Sequence, residues 1–243
     1  MATPHPVLTN YYPDEAHRRD YLRDLFDRTA EDYDRVERMM GFGSGPWYRR
    51  RALVRAGLAS GMSVLDIGTG TGLVARQAAF IVGDSALVTG VDPSAGMIDH
   101  AKVPRGVRLI AGRAETIPVA DASADFLSMG YALRHISDLL IAFHEFHRVL
   151  KPGGRLCLLE ITRPERALGR AILRAYMRGW VPLLSRVIAR QSATPELMRY
   201  YWDTIEACTA PGVILGSLSV AGFQQVHRHV ELGIFSEYRA RKS

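Results

Sequence analysis

Two acidic residues flank a glycine-rich turn at spacings that suit a nucleoside-containing ligand. Ser63-Val-Leu-Asp-Ile67 has the length and composition of a short buried strand and passes directly into Gly68-Thr-Gly-Thr-Gly72, which opens a helix-length segment. Glycines there let the backbone approach a ligand where a Cβ would collide. Asp92 ends the next apolar run, in position to accept hydrogen bonds from ribose hydroxyls. Asp66 places a second carboxylate at the strand end, where it would repel a pyrophosphate but suits a cationic sulfonium compound carrying an ammonium group. Gly70-Thr-Gly-Leu-Val-Ala75 also satisfies the dinucleotide pattern G-x-G-x-x-G/A, and Asp92 serves either ligand. An NAD-dependent oxidoreductase is therefore the alternative enzyme, and a sulfonium-binding regulatory protein without turnover is the alternative outside catalysis.

The elements that must position this turn alternate in type. Short apolar runs at Ser63–Ile67, Ala86–Val91, Val107–Ala111, Asp125–Gly130 and Arg155–Ile161 are separated by helix-length segments such as Gly72–Val82 and Ser137–Leu150. Such alternation predicts an α/β fold with a doubly wound, mostly parallel sheet. Ser94 and Ser137 are expected N-caps, and Lys151-Pro-Gly-Gly154 is an expected helix stop. Phe223–Val230 and Leu232–Arg239 predict a C-terminal antiparallel hairpin turning through Glu231-Leu-Gly233. Asp14 to Leu58 is helical in pattern, broken at Gly41 to Pro46, and predicts an N-terminal helical cap.

With 243 residues and 47% hydrophobic content, the chain can fill one large core, so a single domain is expected. Two cysteines, Cys157 and Cys208, form neither a disulfide framework nor a metal cluster, which predicts a reduced, cytoplasmic protein with no metal site. The first residues lack the pattern of a secretory signal. The stretch from Ala167 to Ala189 is interrupted by Arg170, Arg174, Arg178 and Arg186, short of the ~20 apolar residues a membrane span requires. The formal charge of +6 is spread along the chain without zinc-finger spacing or an RNA-binding signature, so no nucleic-acid partner is expected.

Five ordered segments give the chain a family resemblance. Val64-Leu-Asp-Ile-Gly-Thr-Gly-Thr-Gly72, Val91-Asp-Pro-Ser-Ala-Gly-Met-Ile98, Arg113-Ala-Glu-Thr-Ile-Pro118, Ala124-Asp-Phe126 and Phe146-His-Arg-Val-Leu-Lys-Pro-Gly-Gly-Arg155 resemble the successive motifs of class I S-adenosylmethionine-dependent methyltransferases. Phe26–Asp34, Met40–Gly43, Tyr131–Arg134, Leu159–Pro164 and Arg199–Ile205 are similar to segments of the UbiE/COQ5 family, which C-methylates ubiquinone and menaquinone precursors. The resemblance implies a Rossmann-like, seven-stranded sheet. It also implies a helical cap (14–59), a cofactor-binding core (60–162), a substrate-side helical insertion (163–205), and a C-terminal helix and hairpin (206–243). S-adenosylmethionine is the implied cofactor, held by Asp66, Gly68, Thr69, Gly70, Thr71, Gly72, Asp92, Arg113, Ala114, Met129 and Gly130. The implied acceptor is a small, hydrophobic, aromatic molecule such as a quinone precursor, methylated on carbon. Two departures are notable: Arg113 stands where the family commonly has Asn or Asp, and Leu133-Arg-His135 where it typically reads Leu-Arg-Asn.

Methylating a phenol ring on carbon requires an ionised hydroxyl, hence a general base or a cation beside it. Arg134 and His135 follow the expected fourth strand on the cofactor side and are the first candidates, Arg134 to stabilise phenolate and His135 to accept the proton. Tyr33 and Tyr200 match positions that the family resemblance implies face the substrate from the cap, and Asp203 follows on the same helix as Tyr200 as a further candidate. His144 and His147 share a helix face but have no third ligand in register, so they are expected to be structural. Arg170, Arg174 and Arg178 recur every four residues, as a solvated helix face or as one resting peripherally on an anionic membrane.

Overall fold

The computed structural model describes residues 3–181, 183 and 193–243, so the end of the Ala167 to Ala189 stretch, including Arg186, lies outside the described residues. Seven strands form one sheet: β1 (Val64–Ile67), β2 (Val88–Asp92), β3 (Arg108–Ala111), β4 (Ala124–Gly130), β5 (Leu150–Ile161), β6 (Phe223–Glu231) and β7 (Phe235–Lys242). Their order is β3-β2-β1-β4-β5-β7-β6. The first five pair in parallel, whereas β7 runs antiparallel to β5 and β6 antiparallel to β7. All four residues of β1 are buried, as expected for a central strand covered on both faces.

Helices α1 (Glu15–Met40) and α2 (Gly45–Arg55) precede the sheet; α3 (Leu73–Val82), α4 (Ala95–Asp99) and α5 (Leu139–Val149) connect its parallel strands. Leu53, Val74, Ala75 and Ala78 pack on one face of the sheet, and Phe143, Phe146, Ile214 and Leu218 pack on the other. A third apolar cluster joins α1 to α6 (Ala167–Ala175), the π turn after it, and α7 (Thr194–Ala207) through Leu25, Val36, Met177, Leu197 and Tyr200. Helix α8 (Pro211–Val220) leads into the hairpin.

Local chemistry accounts for the boundaries. Ser94 caps α4, its hydroxyl accepting from Met97 N, but Asp138 rather than Ser137 caps α5, accepting from Leu140 N and Ile141 N. The expected second strand starts later, at Val88, because Asp84 caps a 3-10 turn at Ser85–Leu87. The Lys151-Pro-Gly-Gly segment does end α5, yet pairing resumes at once, with Leu150 opposite Ala124. In the hairpin, Leu232 and Gly233 both have positive φ and form the turn, so β7 begins at Phe235 and not at Leu232.

Candidate functional site

The turn after β1 is shaped by left-handed backbone at Gly68 (φ +65°) and Gly70 (φ +54°), which a β-carbon would strain. The Asp92 carboxylate holds this turn from the next strand, accepting from Gly70 N at 2.7 Å and from Ser94 N at 2.9 Å. Burial pushes the Asp92 carboxyl up to about 6 despite those two amides. Asp66 is fully buried and accepts from the hydroxyls of Thr69 and Ser128, each at 2.7 Å; burial likewise raises it to about 6.

A cavity of about 480 Å³ opens beyond the C-terminal ends of β1, β2 and β4, where parallel sheets bind ligands. Of the expected cofactor residues, Gly68, Gly70, Asp92, Arg113, Ala114, Met129 and Gly130 line it. Asp66, Thr69, Thr71 and Gly72 do not. Asp66 and Thr69 bond to each other behind the turn, Thr71 donates to Asp34 of α1, and a β-carbon on Gly72 would meet Val103 at 2.2 Å. These four shape the turn from outside the cavity. Gly70 is different: among the described residues a β-carbon there would find only Met97 Sδ, at 4.0 Å, so Gly70 opens onto the cavity.

Helix α1 roofs this cavity with Leu22, Phe26 and Tyr33. Polar clamps fix the roof: Asp27 accepts from the Ser94 hydroxyl and from Gly96 N at 3.0 Å, and Asp34 accepts from Thr71.

A second cavity of about 300 Å³ lies behind the first, and Tyr33, Tyr131 and Tyr201 belong to the walls of both. Tyr201 donates to the Tyr33 hydroxyl at 2.9 Å. Tyr131 has φ +61°, a conformation costly for an aromatic side chain and of the kind concentrated at functional sites. Most of the remaining wall is apolar, including Met40, Leu173, Met177, Met198 and Ile205.

The candidate catalytic residues part company here. Arg134 is 1% exposed, lines the second cavity, and forms an ion pair with the buried Glu160 while its Nε donates to Thr204 at 3.3 Å. His135 faces the first cavity, stacked 5.6 Å from Tyr200 and 5.9 Å from Tyr201, and neither ring nitrogen has a hydrogen-bond partner among the described residues. Burial, aided by the Arg134 and Arg18 charges, holds it well below the usual histidine range, so the ring is neutral at physiological pH. Tyr200 is buried away from both cavities. Asp203 lines neither: it accepts from the Tyr11 hydroxyl at 2.6 Å and lies 3.4 Å from Arg178.

Arg49 was not singled out by sequence, although it lines the second cavity at 3% exposure. A signal was present: Tyr48, Arg49, Ala52 and Leu53 are the buried positions of α2, so one charged residue sits on that helix's core-facing stripe. The arginine stripe of α6 and the π turn after it is partly spent on ion pairs, Arg174 with Glu206 and Arg178 with Asp203. His144 is exposed and the His147 ring packs 5.3 Å from Phe223. Among the described residues His229, Glu231 and Glu237 converge, but the Arg55 guanidinium bridges both carboxylates, at 3.0 and 2.7 Å.

Residues 14–242 match the model of the ubiE/COQ5 methyltransferase family. The ubiquinone/menaquinone biosynthesis C-methyltransferase UbiE of Syntrophotalea carbinolica is 35% identical over 228 residues, spanning 91% of this chain and 94% of that one. Among solved structures, a SAM-dependent methyltransferase from Aquifex aeolicus superposes with a TM-score of 0.62 at 22% identity, covering 86% of this chain and 98% of the other. An S-adenosylmethionine-dependent methyltransferase from Mesorhizobium loti gives 0.56 at 20% identity, covering 82% and 99%. At such identities the structural matches establish the Rossmann-like fold.

Proposed function

We propose, from the premise that this chain belongs to the ubiE/COQ5 methyltransferase family, that it methylates a ring carbon of an apolar aromatic acceptor, a quinone precursor of the kind its relatives' names describe. It is an enzyme that uses S-adenosylmethionine, and family membership sets aside both the NAD-dependent and the non-catalytic alternatives. The observation that supports the acceptor class is the pair of cavities divided by Tyr33, Tyr131 and Tyr201, one walled by cofactor-type residues and the other largely apolar.

The residues of the first cavity suit the cofactor. Gly70 leaves room for close approach, Asp92 offers buried carboxylate oxygens to ribose hydroxyls, and Ala114 and Met129 provide apolar wall. The cofactor supplies an electrophilic methyl group. The chain's own task is to present the acceptor in near-attack geometry and keep water out, which the three tyrosines do by placing an aromatic ring where the cavities meet. Arg134 stabilises negative charge on the acceptor oxygen, with Glu160 balancing it in the ground state. The neutral His135 has one unprotonated ring nitrogen free to accept a hydrogen bond from the acceptor hydroxyl.

Mass spectrometry of lipid extracts from cells with and without the gene tests the acceptor. A quinone precursor lighter by one methylene should accumulate without it; an unchanged quinone profile would remove the proposed acceptor.

A peripheral membrane contact has its own support. No helix among the described residues is long and apolar enough to cross a membrane, but Trp47 and Leu232, both on the wall of the apolar cavity, are largely solvent-exposed. Such a rim would let an apolar acceptor pass from a bilayer into the cavity. Co-sedimentation with anionic vesicles should fall in Trp47→Ser with Leu232→Ser; undiminished sedimentation would count against that surface.

A further inference from the structure

The polar group least accounted for near the apolar cavity is the Arg49 guanidinium. Its Nη2 is held by Glu37 Oε1 at 2.6 Å, but Nε and Nη1 are buried with no hydrogen-bond partner among the described residues. A purely structural arginine would normally spend its fork on both carboxylate oxygens, since bidentate pairing is the stronger arrangement. Here Glu37 takes one nitrogen and leaves two, a costly condition for a buried cation unless a ligand completes it.

The guanidinium is also held in place. Its Cζ lies 5.4 Å from the centroid of the Tyr131 ring, within range of a cation–π contact, and Tyr131 is one of the three tyrosines dividing the cavities. Nη1 occupies space above Gly45 that a β-carbon would contest, at 2.4 Å. A charge fixed between Glu37 and Tyr131 on a mostly apolar wall selects for an electron-rich oxygen on an otherwise apolar molecule.

We propose that Arg49 binds an oxygen of the acceptor ring, a phenol or phenolate oxygen, through one of its two unpartnered nitrogens, Nη1 or Nε, which lie on opposite edges of the guanidinium. This assignment rests on the aromatic acceptor proposed above. It makes Arg49 a specificity-determining contact separate from Arg134, whose charge Glu160 already meets. It also means that oxygen-free aromatics of equal size are discriminated against at this wall.

The probes are 1-naphthol and naphthalene, titrated into the full chain saturated with S-adenosylhomocysteine. The ratio of their affinities should fall about tenfold or more in Arg49→Gln, as expected for losing a hydrogen bond to a charged group. Arg49→Lys, which keeps the charge but lacks the planar fork, should lose several-fold in 1-naphthol affinity while binding naphthalene as the wild type does. S-adenosylhomocysteine affinity, unchanged in both variants, reports that they are folded. A 1-naphthol preference equal to wild type in Arg49→Lys, or in folded Arg49→Gln, overturns the Arg49 assignment and leaves the aromatic acceptor standing. Failure of the wild type to bind either probe overturns the acceptor proposal and this assignment with it.

Discussion

The Tyr201 hydroxyl donates to that of Tyr33 across 2.9 Å, joining α7 to α1 in the wall that the two cavities share. Tyr201 is separated from the bulk by its burial, and Tyr33 is held above the usual phenol range chiefly by burial, so both stay protonated at physiological pH.

Removing one hydroxyl should cost more than removing both. Tyr33→Phe leaves the Tyr201 hydroxyl without its acceptor and should lower stability by ~1–3 kcal/mol, whereas Tyr33→Phe with Tyr201→Phe should come closer to wild type. Urea denaturation of the two single variants and the double variant measures this. A strictly additive loss would show that the two hydroxyls act independently.

Cofactor affinity should depend on pH through Asp92, on the cavity wall, and through the charge of Asp66 behind the turn, both raised by burial to about 6. Ribose hydroxyls and a cationic ligand favour the ionised carboxylates, so affinity should be flat above ~pH 7 and fall on the acid side of 6, by up to about tenfold per pH unit for each carboxylate coupled to binding. For the free protein the sign is opposite. Between the ordinary 3.8 and about 6 the folded state retains protons the unfolded chain has released, so these two groups contribute declining stability as pH rises through that window. Calorimetric titration of S-adenosylhomocysteine at several pH values checks the binding half; an affinity independent of pH down to about 5 would detach both aspartates from the cofactor.

The loop and its partner strands were legible because they are local. Strand, glycine turn and Asp92 lie within thirty residues of sequence, and the seven-stranded order with its terminal hairpin follows from the alternation of elements together with the family resemblance. The dividing wall was not legible, since Tyr33, Tyr131 and Tyr201 are brought together only by the packing of α1 and α7 over the sheet. Burial direction was also hidden. Asp66 and Thr69 sit in the motif but turn toward each other, and Asp203 lies on the right helix but points to Tyr11 and Arg178. Nothing in local spacing distinguishes a carboxylate that meets a ligand from one that meets a neighbouring side chain.

Breaking the buried Arg134–Glu160 pair should be a stability event as well as a catalytic one. Arg134→Met leaves Glu160 as an uncompensated buried charge and should destabilise by ~3–5 kcal/mol, while adding Glu160→Leu should restore much of that loss. Thermal unfolding separates the cases. The restored double variant should still be deficient in kcat with cofactor affinity intact, because charge stabilisation at the acceptor oxygen is gone. Full turnover in that variant would exclude Arg134 from the chemistry.

Gly70→Val should leave a folded protein that cannot bind the cofactor. Left-handed backbone at residue 70 costs roughly 1–2 kcal/mol for a residue with a β-carbon, which a domain of this size tolerates, while the branched side chain fills space next to Asp92. Retained circular dichroism with no detectable S-adenosylhomocysteine binding is the expected pair of results, and wild-type affinity would misplace the cofactor.

The most direct measurement follows a labelled methyl group. The purified enzyme is incubated with S-adenosylmethionine carrying a carbon-13 methyl and with a chemically reduced quinone precursor lacking the ring methyl, and the product is read by carbon-13 NMR and mass spectrometry. The label should appear as an aryl methyl on the ring, with S-adenosylhomocysteine formed in equal amount. Label appearing as a methoxy group, or S-adenosylhomocysteine failing to form with this acceptor, would contradict ring-carbon methylation of a quinone precursor.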